Sequence, residues 1–106
     1  MLRLVERLFG EGHLHDTKTP IASLPVAYEL DVYRDWQVTD GEFTAGEWVI
    51  EGHLLASPDA LTALAGRGDP FLLRMDDGRQ LEVFALDGAG RIVNVEGTTF
   101  SEAADR

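Results

Sequence analysis

Asp40-Gly41 constrains this chain more than any other pair of residues, because it stands between two long runs of strand-forming residues, 26–39 and 42–56. Asp-Gly supplies the positive φ angles that a two-residue hairpin loop demands at both central positions. With that loop in place Thr39 faces Glu42, Val38 faces Phe43 and Trp36 faces Ala45, so apolar side chains meet apolar side chains. The pattern then slips. On the first arm the large apolar residues sit at even positions (Val26, Tyr28, Leu30, Val32, Trp36, Val38). On the return arm Phe43 is odd but Trp48, Ile50 and Leu54 are even. One extra residue has to be absorbed, and Gly46 is placed to do so as a β-bulge in the left-handed conformation. Beyond the bulge the register pairs Arg34 with Trp48, Val32 with Ile50, Leu30 with Gly52, Tyr28 with Leu54 and Val26 with Ala56. A one-residue slip would turn the whole apolar set toward water, so the facing of both arms follows from this register.

The flanking segments supply shorter elements. Residues 7–15 alternate like a strand, while Leu2, Val5 and Leu8 fit one helical face, which leaves helix or strand open for residues 2–8. Residues 16–25, with two prolines, read as the longest connection, with Ile21 and Leu24 turned inward. In SPDALTALAGRG, Ser57 is the N-cap, Pro58 the first helical residue and Asp59 complements the positive helix end. Ala60, Leu61 and Leu64 form the buried side of this two-turn helix, which plugs one end of a barrel and stops at Gly66 or Gly68. A second hairpin follows, and only a three-residue loop at 76–78, with Gly78 left-handed, sets Leu73 against Leu81 and Phe71 against Val83. A turn at 87–90 leads to a last strand near 91–97, and the tail from Ser101 to Arg106 is expected to fray.

These elements predict a mainly β fold in a single domain spanning residues 1–106: a small six-stranded antiparallel barrel, closed or half-open. One short helix lies between the third and fourth strands. The oligonucleotide/oligosaccharide-binding topology and an SH3-like barrel both fit that order, and neither fixes a function.

Charge narrows the partners. Nine basic against nineteen acidic residues give a formal charge of −10, and arginine outnumbers the single Lys18 eight to one. A surface of that sign repels phosphate backbones and anionic membranes, so neither nucleic acid nor membrane is expected as a partner. No cysteine is present, which excludes disulfides, thiolate metal sites and thiol catalysis. The first ten residues interrupt their apolar positions with Arg3, Glu6 and Arg7, unlike a signal peptide. The expected compartment is the cytoplasm.

Three constellations could carry chemistry. The register sets Glu29 opposite His53 and Asp31 opposite Glu51 on the outward face; with His13 and His15 on a neighbouring strand, six metal-capable side chains would share one patch. Solvated carboxylates are the ordinary content of such a face, so neither a metal nor any other cofactor is expected. Gly10, Gly12 and Gly52 fall on the inward face. They either leave a hollow beside Tyr28, Trp36 and Trp48 or let the strands coil tightly, and the second is preferred. The repeated EGHL at 11–14 and 51–54 then reflects similar environments rather than duplication. Arg34, the odd member of the apolar face, stacks on Trp48, and Tyr33 and Trp36 stand exposed near the hairpin tip.

No catalytic residues emerge: Ser23, Ser57 and Ser101 lie outside any strand-turn-helix elbow, and the DGAGR run lacks the lysine and helix of a phosphate loop. The sequence therefore favours a non-enzymatic binding module that meets a protein partner or a second copy through the long hairpin, with Tyr33, Arg34, Trp36 and Trp48 as contact residues. The alternative is a small-molecule or metal-dependent protein using the glycine face or the His/carboxylate patch.

Overall fold

The hairpin dominates the computed structural model, which describes residues 1–16, 23–65 and 68–102. Strand β2 (Ser23–Thr39) turns at Asp40 and Gly41 into β3 (Glu42–Leu55). Both turn residues have positive φ, 53° and 80°, as a primed turn requires. The ladder runs as the sequence predicts from Thr39↔Glu42 to Tyr28↔Leu54, and ends at Ala27↔Leu55, one residue short of the expected Val26–Ala56 pair. Its irregularity falls between Arg34 and Trp36, where Gly46 and Glu47 together oppose Asp35. Gly46 is not left-handed, however, since positive φ among the described glycines is confined to 41, 78, 90 and 97. What position 46 lacks is room: a Cβ there would lie 3.2 Å from the Asp35 carbonyl oxygen.

Strand β1 (Leu2–Asp16) pairs antiparallel with β2 along nearly its whole length. It begins earlier than residue 7 and leaves no helix at 2–8. A bulge explains the ambiguous pattern: Val5 is the extra residue between Leu4↔Tyr33 and Glu6↔Val32. The inserted residue breaks the two-residue alternation, so that Leu2, opposite Asp35, and Leu8, opposite Leu30, fall on different faces, and the spacing of Leu2, Val5 and Leu8 is left to imitate a helical face. The connection expected over 16–25 is also shorter, since β2 starts at Ser23 and Leu24 pairs with Leu14 and packs on the core. The expectation for Ile21 lies outside the described residues.

After β3 comes helix α1 (Pro58–Ala65). The Ser57 hydroxyl accepts the Ala60 N–H at 3.3 Å, which caps the helix, and Leu61 enters the core with Leu64 packed beside it. Strands β4 (Phe71–Met75) and β5 (Arg79–Ala85) form the second hairpin in the predicted register, with Gly78 at φ 92°. Strand β6 (Arg91–Asn94) ends before residue 97, where Gly97 at φ 82° and a Thr98 N–H to Val95 C=O bond turn the chain. The tail does not fray at its start: Ser101–Glu102 forms β7 on the free edge of β5.

The sheet order β4-β1-β2-β3-β6-β5, with β4 also bonded to β5, closes a six-stranded antiparallel barrel, and β7 lies outside it. The barrel is therefore closed rather than half-open. Its interior holds Leu14, Tyr28, Leu30, Val32, Ile50, Leu73, Leu81 and Ile92, each 3% exposed or less. Closure uses short ladders: β1 meets β4 only from Gly12 to Asp16, and β3 meets β6 only from Glu51 to His53. The remainder of β1, β2 and β3 continues past the barrel as a three-stranded arm, and the molecule is 49 Å long but 24 Å thick.

Candidate contact surface

The arm begins where β6 stops. There β3 loses its neighbour, and Asn94 takes the place of one. Its Oδ1 accepts the Ile50 N–H at 3.1 Å, and its Nδ2 donates to the Trp48 and Thr98 carbonyls at 3.2 and 2.7 Å. Asn94 is the one buried polar residue among those described. Sequence reasoning missed it, because nothing in RIVN marks which strand ends first.

Beyond this point the face continuous with the barrel interior becomes open to solvent. Register places Arg3, Arg34, Trp36, Ala45 and Trp48 on it, with Val38 and Phe43 at its far end. The Arg34 guanidinium lies over the Trp48 indole, 4.4 Å from the ring centroid, as the sequence predicts. Its Nε is shielded from solvent and makes no hydrogen bond. Arg3 is its direct partner across the strands. Two like charges so placed repel, and neither has an ion-pair partner among the described residues. Trp36 and Phe43, with Arg3, Leu4 and Val5, line an open depression of about 410 Å³.

Of the four predicted contact residues, the structure brings Arg34, Trp36 and Trp48 to this face. Tyr33 faces the other way, against Leu4 and Val49. Neither Tyr33 nor Trp36 is fully exposed; both are half-buried. The exposed apolar side chains of the arm are instead Leu2, Leu4, Val5, Val38 and Phe43, at 47–62%. Sequence analysis passed over Leu2, Leu4 and Val5 because the bulge at Val5 concealed that β1 reaches the arm at all.

The remaining constellations resolve differently. Glu29 pairs with His53 and Asp31 with Glu51, as predicted. But the β1 residues beside Glu29 and Asp31 are Phe9 and Arg7, while His13 and His15 lie farther along, opposite Pro25 and Ser23. The Arg7 Nε holds Asp31 at 3.0 Å. The six side chains are not gathered, and among the described residues no three His, Asp or Glu side chains come close enough to hold a metal. Burial, with Arg74 and His13 nearby, holds the His15 imidazole below its usual pKa.

The inward glycines leave no hollow. A Cβ on Gly12 would strike the Arg74 carbonyl and one on Gly52 the Glu29 carbonyl, both backbone atoms of adjacent strands. The two EGHL copies therefore occupy like environments, each with its glycine where a neighbouring strand bends close. At Gly10 the space is taken by the Tyr28 hydroxyl, 2.6 Å from where a Cβ would stand. That hydroxyl donates to Asp76 Oδ1 at 3.0 Å. Burial and the Asp76 carboxylate push the Tyr28 pKa up to about 12.

No family model, no curated protein and no solved structure matches this chain.

Proposed function

We propose that this protein acts by contact rather than by catalysis, as a small acidic binding module that presents the inner face of its β-hairpin arm to a protein surface. The observation that carries this reading is the exposure of Val38 and Phe43, at 60% and 62%, with the bulged Val5 at 52%, around half-buried Trp36. Single exposed apolar residues are ordinary. Several clustered on an extension that the barrel does not need for its own core mark a contact site. An aromatic centre beside an unpaired arginine is also the residue content that dominates binding energy at protein interfaces.

The small-molecule and metal readings have less behind them, since neighbouring strands fill the glycine positions and His13 and His15 stand apart from Glu29, Asp31 and His53. Fluorescence of the apolar dye bis-ANS, at protein concentrations of about 1 μM where weak self-association is absent, tests the reading. The dye is expected to brighten on the wild-type protein and to lose most of that signal in Phe43→Ser. Equal dye response in the two proteins would refute the arm as the accessible apolar surface.

A further inference from the structure

We infer that what docks on the arm's inner face is an acidic segment of a partner protein, with one carboxylate seated on Arg3 and Arg34 and apolar side chains laid along Trp36 and Phe43. The inference rests on the reading of the arm as a docking surface and adds the chemistry of what docks.

The cationic half of the site follows from register. Arg3 and Arg34 are cross-strand partners on the inner face, and side chains so placed have their Cβ atoms about 5 Å apart. Two guanidiniums at that distance can fork onto one carboxylate, which offers an acceptor oxygen to each. Neither is neutralised from within: among the described residues no acidic side chain pairs with either. The nearest acids are turned away or engaged. Asp35, with Gly46 and Glu47 set against it by the bulge, and Glu42 fall on the opposite face. Glu6, one row nearer the barrel, stands 3.7 Å from Arg79. Arg34 is also held in place, since its guanidinium lies 4.4 Å from the Trp48 ring centroid and its Nε is shielded without a hydrogen bond. A fixed, unpaired cation beside a second one is a costly arrangement for the free chain, and a bound anion relieves it.

The apolar half adjoins the arginines. Arg3 lines the same depression of about 410 Å³ as Leu4, Val5, Trp36 and Phe43. Trp36 stands two residues beyond Arg34 on β2, and Val38, opposite Phe43, two beyond that, so the rows follow one another at about 7 Å. Alternate residues of an extended chain repeat at the same distance. A segment with an acidic residue followed at the second and fourth places by apolar ones therefore meets arginine, tryptophan and phenylalanine in turn. The formal charge of −10 would instead draw a basic segment. That summed field is screened beyond about 8 Å at physiological salt, and between the Arg3–Arg34 row and the Val38–Phe43 row the inner face carries no carboxylate.

Heteronuclear NMR titration at about 150 mM salt with the blocked peptide Glu-Thr-Leu-Thr-Leu, in that order and reversed, tests the proposal. One of the two orders is expected to bind with a Kd of about 0.1 to 1 mM and to shift the Trp36 and Trp48 indole signals. Replacing its Glu by Gln weakens it about tenfold, the scale of a charge-assisted contact. In Arg3→Glu, at an exposed position, the new carboxylate occupies Arg34 itself. The Glu peptide then falls to the affinity of the Gln peptide, which is unmoved, whereas a damaged fold would weaken both. Equal binding of the Glu and Gln peptides to the wild type, tighter binding of a Lys peptide, no binding of either order up to about 5 mM, or a Glu preference that survives in Arg3→Glu overturns the inference. If the peptides fail while dye binding still depends on Phe43, an acidic segment is the wrong occupant and the docking surface stands; loss of both removes the docking reading as well.

Discussion

Replacing Asn94 by alanine removes three hydrogen bonds at the point where β3 loses the strand beside it. The Ile50 N–H is left inside the core, at a residue 1% exposed, and an unsatisfied buried donor costs about 1–3 kcal/mol. The Trp48 and Thr98 carbonyls are only part-buried. Water replaces some of what they lose, so each adds at most about 1 kcal/mol. The expected destabilisation is about 3 kcal/mol. With an m-value of about 1.5 kcal/mol/M in urea, the midpoint falls by about 2 M at unchanged slope. Asn94→Leu, close in volume, should lose nearly as much, which separates the lost bonds from a cavity. Asn94→Asp keeps an acceptor for Ile50 but sets a carboxylate against two carbonyls, which raises its pKa in the fold. Because the folded state then binds the proton more tightly than the unfolded one, its deficit relative to wild type is greatest at pH 7 and shrinks as the solution is acidified toward about pH 4. A midpoint shift below about 0.5 M in Asn94→Ala would refute the idea that this side chain stands in for a missing strand.

Two further perturbations probe the barrel itself. Gly52→Ala drives a methyl into the Glu29 carbonyl and should cost about 3 kcal/mol in urea melts, whereas Gly68→Ala, with open space around it, should stay within about 0.5 kcal/mol; equal effects would show that the close strand approach is not a constraint. Tyr28 titrates near 12 in the fold against 10.0 in the unfolded chain. The folded state therefore retains a proton that the unfolded state has lost, and stability should fall between pH 10 and 12 by up to roughly 1.4 kcal/mol per pH unit. Tyr28→Phe should flatten that part of the profile, and an unchanged slope would assign the alkaline loss to other groups.

Much of this architecture was legible in the residues. The loop at Asp40-Gly41 and the parity of the apolar positions determine the β2–β3 register, and alternation chose the three-residue loop ending at Gly78, because both rest on local geometry and on which face meets water. What stayed hidden depends on where elements end relative to one another. Val5 disguised the start of β1 because an inserted residue mimics helical spacing. The role of Asn94 follows from β6 being shorter than β3, and the pairing of Ser101 with Gln80 from an unused edge of β5. Arg34 could be seen to meet Trp48, but its other neighbour, Arg3, required the β1–β2 register beyond a bulge. For the same reason the metal patch, which needed His13 and His15 beside Glu29 and Asp31, was misplaced.

The uneven lengths of the ladders bear on how the chain reaches this shape. Pairing in the arm spreads outward from Thr39 and Glu42, each step adding neighbours already held close, whereas sealing the cylinder requires Gly12 to find Met75 across most of the sequence. Loop-closure entropy makes the first process quick and the second slow. The meander of β1, β2 and β3 can thus assemble as a curved ribbon before the cylinder shuts, and the glycines at 12 and 52 set the curvature that brings its distant borders within reach.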